Sequence, residues 1–238
     1  IAAITVVLPI TFLIGSLGMA TGVGGASIIS RAFGNEDYEK AYKTFGNMLA
    51  MTIGMAVSVV ILGFVFAEDI IKLFGGRGDV LQPSLDYFYI VLLGVPLLAW
   101  AMMCNNVIRA EGYPKMAMLT LIIPAVLNLI LDPIFIIYLD WGIKGAAWAT
   151  TLGYLGSALF TVYYFLGPNS DMVLKLKSII LDFKIIKEIT SLGSVTLARQ
   201  GIISLLSIVL NNSLFVYGSE AALAVYGIIN RVMFLINF

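Results

Sequence analysis

Long apolar runs alternate with short polar breaks along the whole chain. Residues 1–30 contain no charged side chain, and further apolar runs occupy 44–67, 87–108, 116–139, 145–167 and 189–217. A helix needs about 20 mostly apolar residues to cross the roughly 30 Å hydrocarbon core of a bilayer. Each run is near or above that length, so the pattern predicts six full spanning helices. A seventh run opens at Glu220 and is still apolar at Phe238. The expected fold is therefore an all-α, polytopic integral membrane bundle of about six full transmembrane helices and part of a seventh.

The breaks carry the polar residues. Residues 31–43 (RAFGNEDYEKAYK), 68–86, 109–115 (RAEGYPK) and 140–144 read as loops or turns, with Gly75, Gly76 and Gly78 as breakers in the second. Residues 168–188 differ. Lys175, Lys177, Lys184 and Lys187 stand among Ile179, Phe183 and Ile186 at helical spacing, as in an amphipathic helix on the membrane surface. This longest connection divides the chain into 1–167, most of a first bundle; 168–188, a linker; and 189–238, the start of a second bundle. Breaks after the first, third and fifth runs hold nine Lys and Arg, and the alternate breaks hold three. The richer side is expected to be cytoplasmic, linker included, in a multi-pass cell-membrane protein. The opening AAITVVLPITFLI and the closing LAVYGIINRVMFLI look alike, which hints at a six-helix parallel repeat.

Composition narrows the function classes. The chain is 60% hydrophobic and 12% charged, against roughly 25% charged in soluble domains. Net charge is zero, so no basic field invites nucleic acid. There is no His and one cysteine, Cys104, which excludes an intramolecular disulfide and a Cys/His zinc site. No cofactor is expected. Ile1 is not a start residue, and the chain reads as a piece of a longer protein.

Chemistry concentrates in residues 116–139, where Asp132 is the only charge. Asn128 precedes it by one helical turn and Pro124 precedes Asn128 by another, so the three share a face. Asp132 lies about seven residues from the nearer turn, roughly 10 Å at 1.5 Å rise per residue. That is too deep for simple solvation, so a partner or a water-filled cavity is needed. The bland alternative is a local hydrogen bond just before Pro133. Pro124 leaves the Thr120 carbonyl without its helical partner, which makes a bend there a candidate moving part. Asn128 alone is equally helix–helix glue or ligand, and Thr150 alone reads as packing. Asn105, Asn106, Gln200, Asn211 and Asn212 are polar residues at depth that either line a cavity or join helices. The glycine-rich GVGGAS at 22–27 lacks the Lys-Ser/Thr ending of a phosphate loop and follows no strand, so it reads as helix packing. Gly18 and Gly22 form a small-xxx-small pair for close helix approach.

The stretches GVGGASIISRAFGNEDYEKA at 22–41, VIRAEGYPKMAM at 107–118, NLILDPIFI at 128–136 and GIKGAAWAT at 142–150 together resemble the multidrug and toxic compound extrusion family. Members of that family have twelve helices in two six-helix bundles around a cavity open alternately to each side. On that likeness this chain runs from the second helix into the eighth. The resemblance implies a secondary active antiporter that exports organic cations, drugs or other amphipathic compounds in exchange for Na+ or H+. As in one prokaryotic branch, it implies a cation site at Asp132, Asn128 and Thr150, completed by an acid on the family's first helix; other branches place acidic cation residues on the seventh and later helices, whereas the sixth span here has only Glu188 at its entrance. It further implies small amphipathic substrates, a lipid bilayer as surroundings and a monomeric transporter.

Two other classes remain open. A lipid-linked saccharide flippase of the same superfamily would want a row of cationic residues in the cavity, where only Arg199 and Arg231 lie within spans. A non-transporting scaffold would tolerate Asp132→Asn. An intramembrane protease would need two acids at depth, and the chain offers one, so no enzyme is expected.

Overall fold

The fold is that of a computed structural model, which describes residues 2–168, 170–172, 181–217, 225–227 and 229. Seven α-helices are described, and no strand occurs among the described residues. They are α1 (Ala2–Gly34), α2 (Tyr38–Val65), α3 (Ala67–Leu73), α4 (Leu81–Ala110), α5 (Pro114–Pro133), α6 (Gly142–Leu166) and α7 (Phe183–Tyr217). Five of the long helices are apolar enough to cross a membrane by length and composition. α6, 25 residues long, is not among these five.

Several expected loops are helical instead. The 31–43 loop shrinks to a turn at Asn35–Asp37 because α1 runs on to Gly34 and α2 starts at Tyr38. Asp37 caps α2 by accepting the Lys40 amide at 3.1 Å, so polar residues that read as loop act as a helix start. Residues 68–86 hold most of α3, a short 3-10 turn at Gly78–Val80 and the start of α4. After α3 the expected breakers act at Gly75 and Gly78, whose φ values of +95° and +56° suit glycine. At the α4–α5 turn, Gly112 takes φ +89° and Pro114 opens α5, the position where a missing N–H costs nothing. The heart of the amphipathic linker, 173–180, and most of the seventh run lie outside the described residues.

α1 is the centre of the packing. It is flanked by α2, α4 and α7, α6 lies against α4, and α5 lies outermost on α6. Between apolar helices in lipid there is little hydrophobic drive, so close fit decides association. The glycines of α1 supply that fit. A Cβ on Gly18 would overlap the Ala99 backbone, and one on Gly22 would meet the Met103 Cα at 3.1 Å. Apolar side chains fill the space at either end of this glycine layer. Val6, Val7 and Ile10 pack with Phe88, Val91 and Leu92 at one end. Ile28 and Ile29 pack with Phe45, Met48, Met103 and Val107 at the other.

Polar ties fasten the periphery. Asn105 is buried in the α4–α5 seam, donating to the Ala117 carbonyl and to Thr120 Oγ1, each at 2.7 Å. This position makes it helix–helix glue rather than the wall of an open cavity. Asn105→Ala is expected to lower the stability of the purified protein by about 1 kcal/mol, the usual worth of an interhelical hydrogen bond in lipid. Thermal unfolding in detergent checks it, and an unchanged midpoint would contradict it. At the α4–α5 turn, Glu111 Oε1 accepts Ser170 Oγ at 2.7 Å and the Met172 amide at 2.9 Å. Burial raises its carboxyl above the ordinary range, outweighing these two donors, which favour the ionised form.

Candidate cation site at the α4, α5 and α6 contact

α5 and α6 approach closely because α6 is glycine at the points of contact. A Cβ on Gly153 would stand 3.0 Å from Asn128 Nδ2 and 3.1 Å from the Pro124 carbonyl oxygen. Gly156 and Gly145 play the same part against Leu127 and Phe135. The rest of α5 carries large apolar side chains outward: Leu129 is 76% exposed, and Val126 and Ile130 are exposed too. One face of α5 is thus lipid-like, and the Pro124, Asn128 and Asp132 stripe sits on the inner, half-buried side.

That contact brings Asn128 and Thr150 together as the sequence reading expected from the family likeness. Asn128 Nδ2 donates to the Ala149 carbonyl at 3.2 Å, which turns its Oδ1 towards Thr150 Oγ1, 3.4 Å away. Thr150 Oγ1 also lies 2.9 Å from the Ala146 carbonyl oxygen. A hydroxyl has one proton to give. Thr150 Oγ1 can give that proton to Asn128 Oδ1 or to the nearer Ala146 carbonyl, and when Ala146 takes it Thr150 Oγ1 and Asn128 Oδ1 face each other as two lone-pair-bearing oxygens. Such a pair can accept a proton donor or a hard cation. Asp132 lies one turn along α5, half-buried, with Oδ1 shielded from solvent.

Tyr87 is the addition that sequence reasoning missed. It is buried on α4, with its hydroxyl 3.4 Å from Thr150 Oγ1. In the sequence it opens the third apolar run, where a tyrosine reads as an ordinary membrane-interface residue. Nothing in the spacing joins it to a threonine 63 positions later. Thr151 holds the register, donating to the Ile90 carbonyl at 3.1 Å and so pinning α6 to α4 beside the site. If the Thr150 contact holds a cation or a proton, Tyr87→Phe is expected to weaken its binding severalfold while leaving membrane abundance unchanged. Binding of Na+ or protons to the purified protein checks it, and unaltered binding would remove Tyr87 from the site.

The other sequence candidates go elsewhere. Pro124 lies inside α5, which runs from Pro114 to Pro133. A π-helical turn over Ile134–Tyr138, for which the sequence gives no signal, follows it. Such turns cluster near functional sites, and this one follows directly on Asp132 and Pro133. Asn211 is buried on α7 against α3, not near α5. Gln200 is half-buried on α7. Among the described residues no three His, Cys, Asp or Glu side chains gather to hold a metal ion. Any ion here would be held by oxygen atoms of the Asp132, Asn128 and Thr150 kind, a hard donor set suited to a hard cation.

A family model described as MatE matches residues 1–134. The chain is 30% identical over 234 residues to the multidrug export protein MepA of Staphylococcus aureus strain MRSA252, covering 98% of this chain and 51% of MepA. It is 29% identical to the MepA of Staphylococcus saprophyticus, with the same coverage. The chain thus spans about half the length of the curated relatives it matches. Among solved structures, the inward-facing conformation of a multidrug resistance MATE family transporter of the MOP superfamily superposes with a TM-score of 0.93 at 27% identity, covering 98% of this chain and 53% of that one. The MATE multidrug transporter DinF-BH gives 0.91 at 34% identity, with 98% and 52% coverage. An outward-facing MATE conformation gives 0.84 at 28% identity, with 98% and 52% coverage.

Proposed function

The chain belongs to the MatE family of multidrug and toxic compound extrusion transporters, and from that premise we propose that it forms the ion-coupling half of a secondary antiporter. Its relatives are membrane transporters, and this chain too is a multi-pass membrane protein. The exported compounds are small amphipathic molecules and organic cations. The driving ion is Na+ or H+, taken up at Asp132 with Asn128 and Thr150. The observation that carries this reading is the pair of facing oxygens, Asn128 Oδ1 and Thr150 Oγ1, one turn from Asp132.

The cycle follows from the cost of charge at depth. An ionised carboxylate inside a membrane helix is expensive unless an ion, a proton or a cavity relieves it. Loading the site neutralises Asp132 and lets α5 and α6 close dry. Emptying it restores the charge and favours a hydrated arrangement. Substrate and ion then stabilise different arrangements of one protein, which is what exchange requires. The basic end of the bundle, with the α1–α2 and α4–α5 turns, faces the cytoplasm in this reading.

Dye efflux from cells expressing the full-length protein tests it. Efflux is expected to stop when an ionophore collapses the gradient of the coupling ion, at unchanged expression. Efflux that persists after both the Na+ and the proton gradients are abolished would overturn the antiport reading.

A further inference from the structure

α5 and α6 run antiparallel and meet in one register. Steps of four residues on α5 (Thr120, Pro124 and Asn128) face steps of four on α6 taken in reverse (Ser157, Gly153 and Ala149). At the first level Ser157 Oγ donates to the Thr120 carbonyl at 2.6 Å. At the second, a Cβ on Gly153 would stand 3.1 Å from the Pro124 carbonyl oxygen. At the third, Asn128 Nδ2 donates to the Ala149 carbonyl at 3.2 Å, and Thr150 Oγ1 lies 3.4 Å from Asn128 Oδ1. Four residues are a little more than one helical turn, so the three contacts share one face of each helix. Asn128 thus lies two steps along α5 from the Ser157 bond, about 12 Å at 1.5 Å rise per residue.

The bond made by Ser157 departs from the habit of hydroxyls elsewhere in the chain. Thr11, Thr44, Ser58 and Ser84 each donate to a carbonyl four residues back in their own helix. Ser157 reaches into the neighbouring helix instead. The carbonyl it meets is the one whose helical donor would be the N–H of residue 124, and Pro124 has no N–H. Both Ser157 and Thr120 are buried, where an acceptor left without a donor is costly. From the other side, Asn105 of α4 donates to Thr120 Oγ1 at 2.7 Å. α5 is therefore gripped at this one level by both of its neighbours.

A proline removes one donor from inside α5, and a serine on α6 replaces it. A slip of α6 along α5 would break that bond and leave the Thr120 carbonyl dry and unpaired, so the pair resists a change of register. The same register brings the oxygens of Asn128 and Thr150 together two steps away. We propose that Ser157 is a positioning residue for the cation site: by supplying the donor that Pro124 lacks, it sets the register in which Asn128 Oδ1 meets Thr150 Oγ1. Ser157 acts through the helix contact and does not touch the ion. This rests on the cation-site reading above.

The test is a double-mutant cycle in the purified full-length protein. Ser157→Ala removes the donor from α6, and Pro124→Ala supplies one from within α5. Two readouts are taken for each variant. One is the affinity for Na+ or protons. The other is the rate at which an added oxidant joins Asn128→Cys to Thr150→Cys in a disulfide, with single-cysteine controls, which reports the register without any ion. Ser157→Ala alone is expected to weaken ion binding and slow the disulfide by about fivefold or more. In the presence of Pro124→Ala, adding Ser157→Ala is expected to change either readout by less than about twofold. Equal losses with and without Pro124→Ala, or no loss in Ser157→Ala alone, would overturn the proposal. If Ser157→Ala alone yields no folded protein, the double variant decides: it is expected to fold with both readouts close to those of Pro124→Ala, and its failure to fold would overturn the proposal. A parent that binds neither ion, while the disulfide rates follow the expected pattern, fails the cation-site reading and not the register set by Ser157.

Discussion

Asp132→Asn is expected to cut dye efflux by about tenfold or more at equal membrane abundance, because in the proposed cycle it removes the charge through which the ion gradient acts on α5. The substitution keeps the side chain's size and its ability to accept a hydrogen bond, so packing beside Pro133 is preserved. What it removes is the difference between a loaded and an empty site. An antiporter whose site is permanently neutral has nothing to exchange. Asn128→Ala and Thr150→Ala are expected to act in the same direction and less strongly, since each supplies one neutral oxygen and Asp132 supplies the charge. Efflux assayed with membrane abundance measured in parallel separates coupling from folding. Unchanged efflux in Asp132→Asn would make the residue structural. A wild type that moves no dye at all would weaken the multidrug reading and favour the flippase.

Gly18→Leu is expected to impair folding strongly. A side chain there meets the Ala99 carbonyl, Cα and carbonyl carbon, all backbone. No rotamer change can yield that space, so α1 and α4 must part along the layer that holds the bundle together. Overpacking of this kind costs about 1–3 kcal/mol or more, which is severe for a helix pair that relies on close fit. Gly25 makes a useful contrast, since the obstacle is the Met48 side chain, which can bend away. Gly54 is the control, with nothing within 4 Å of its Cβ position. Abundance of folded, monodisperse protein in detergent is expected to fall sharply for Gly18→Leu, moderately for Gly25→Ala and not at all for Gly54→Leu. Equal yields of the first and the last would refute the account of the α1–α4 contact.

Much of this architecture could be read from the chain. Apolar runs of spanning length and their polar breaks place the helices, since a bilayer leaves the backbone few alternatives. The small-residue pair Gly18 and Gly22 announces a close helix contact, and α4 meets α1 there. The stripe Pro124, Asn128 and Asp132 follows from helix periodicity alone. Other features depend on tertiary contact and had no local signal. Residues 38–43 are polar yet helical, because a span can extend into water on a capped, charged turn such as Asp37 to Lys43. Asn105 and Asn211 look alike as buried amides at depth, and only the neighbours, α5 in one case and α3 in the other, show that both fasten helices. Tyr87 joins the site only because Thr151 and Gly94 bring α6 against α4 in that register. The π-helical turn after Pro133 likewise has no signature beyond the proline before it.

The most direct measurement is equilibrium binding of a fluorescent organic cation to the purified full-length transporter across a range of Na+ concentration and pH, for wild type and Asp132→Asn. Exchange at Asp132 predicts that dye affinity in the wild type falls as Na+ rises or as pH falls, and that the variant binds dye with no dependence on that ion. A wild type indifferent to both ions, or a variant that keeps the full dependence, would contradict the claim that Asp132 couples ion to substrate.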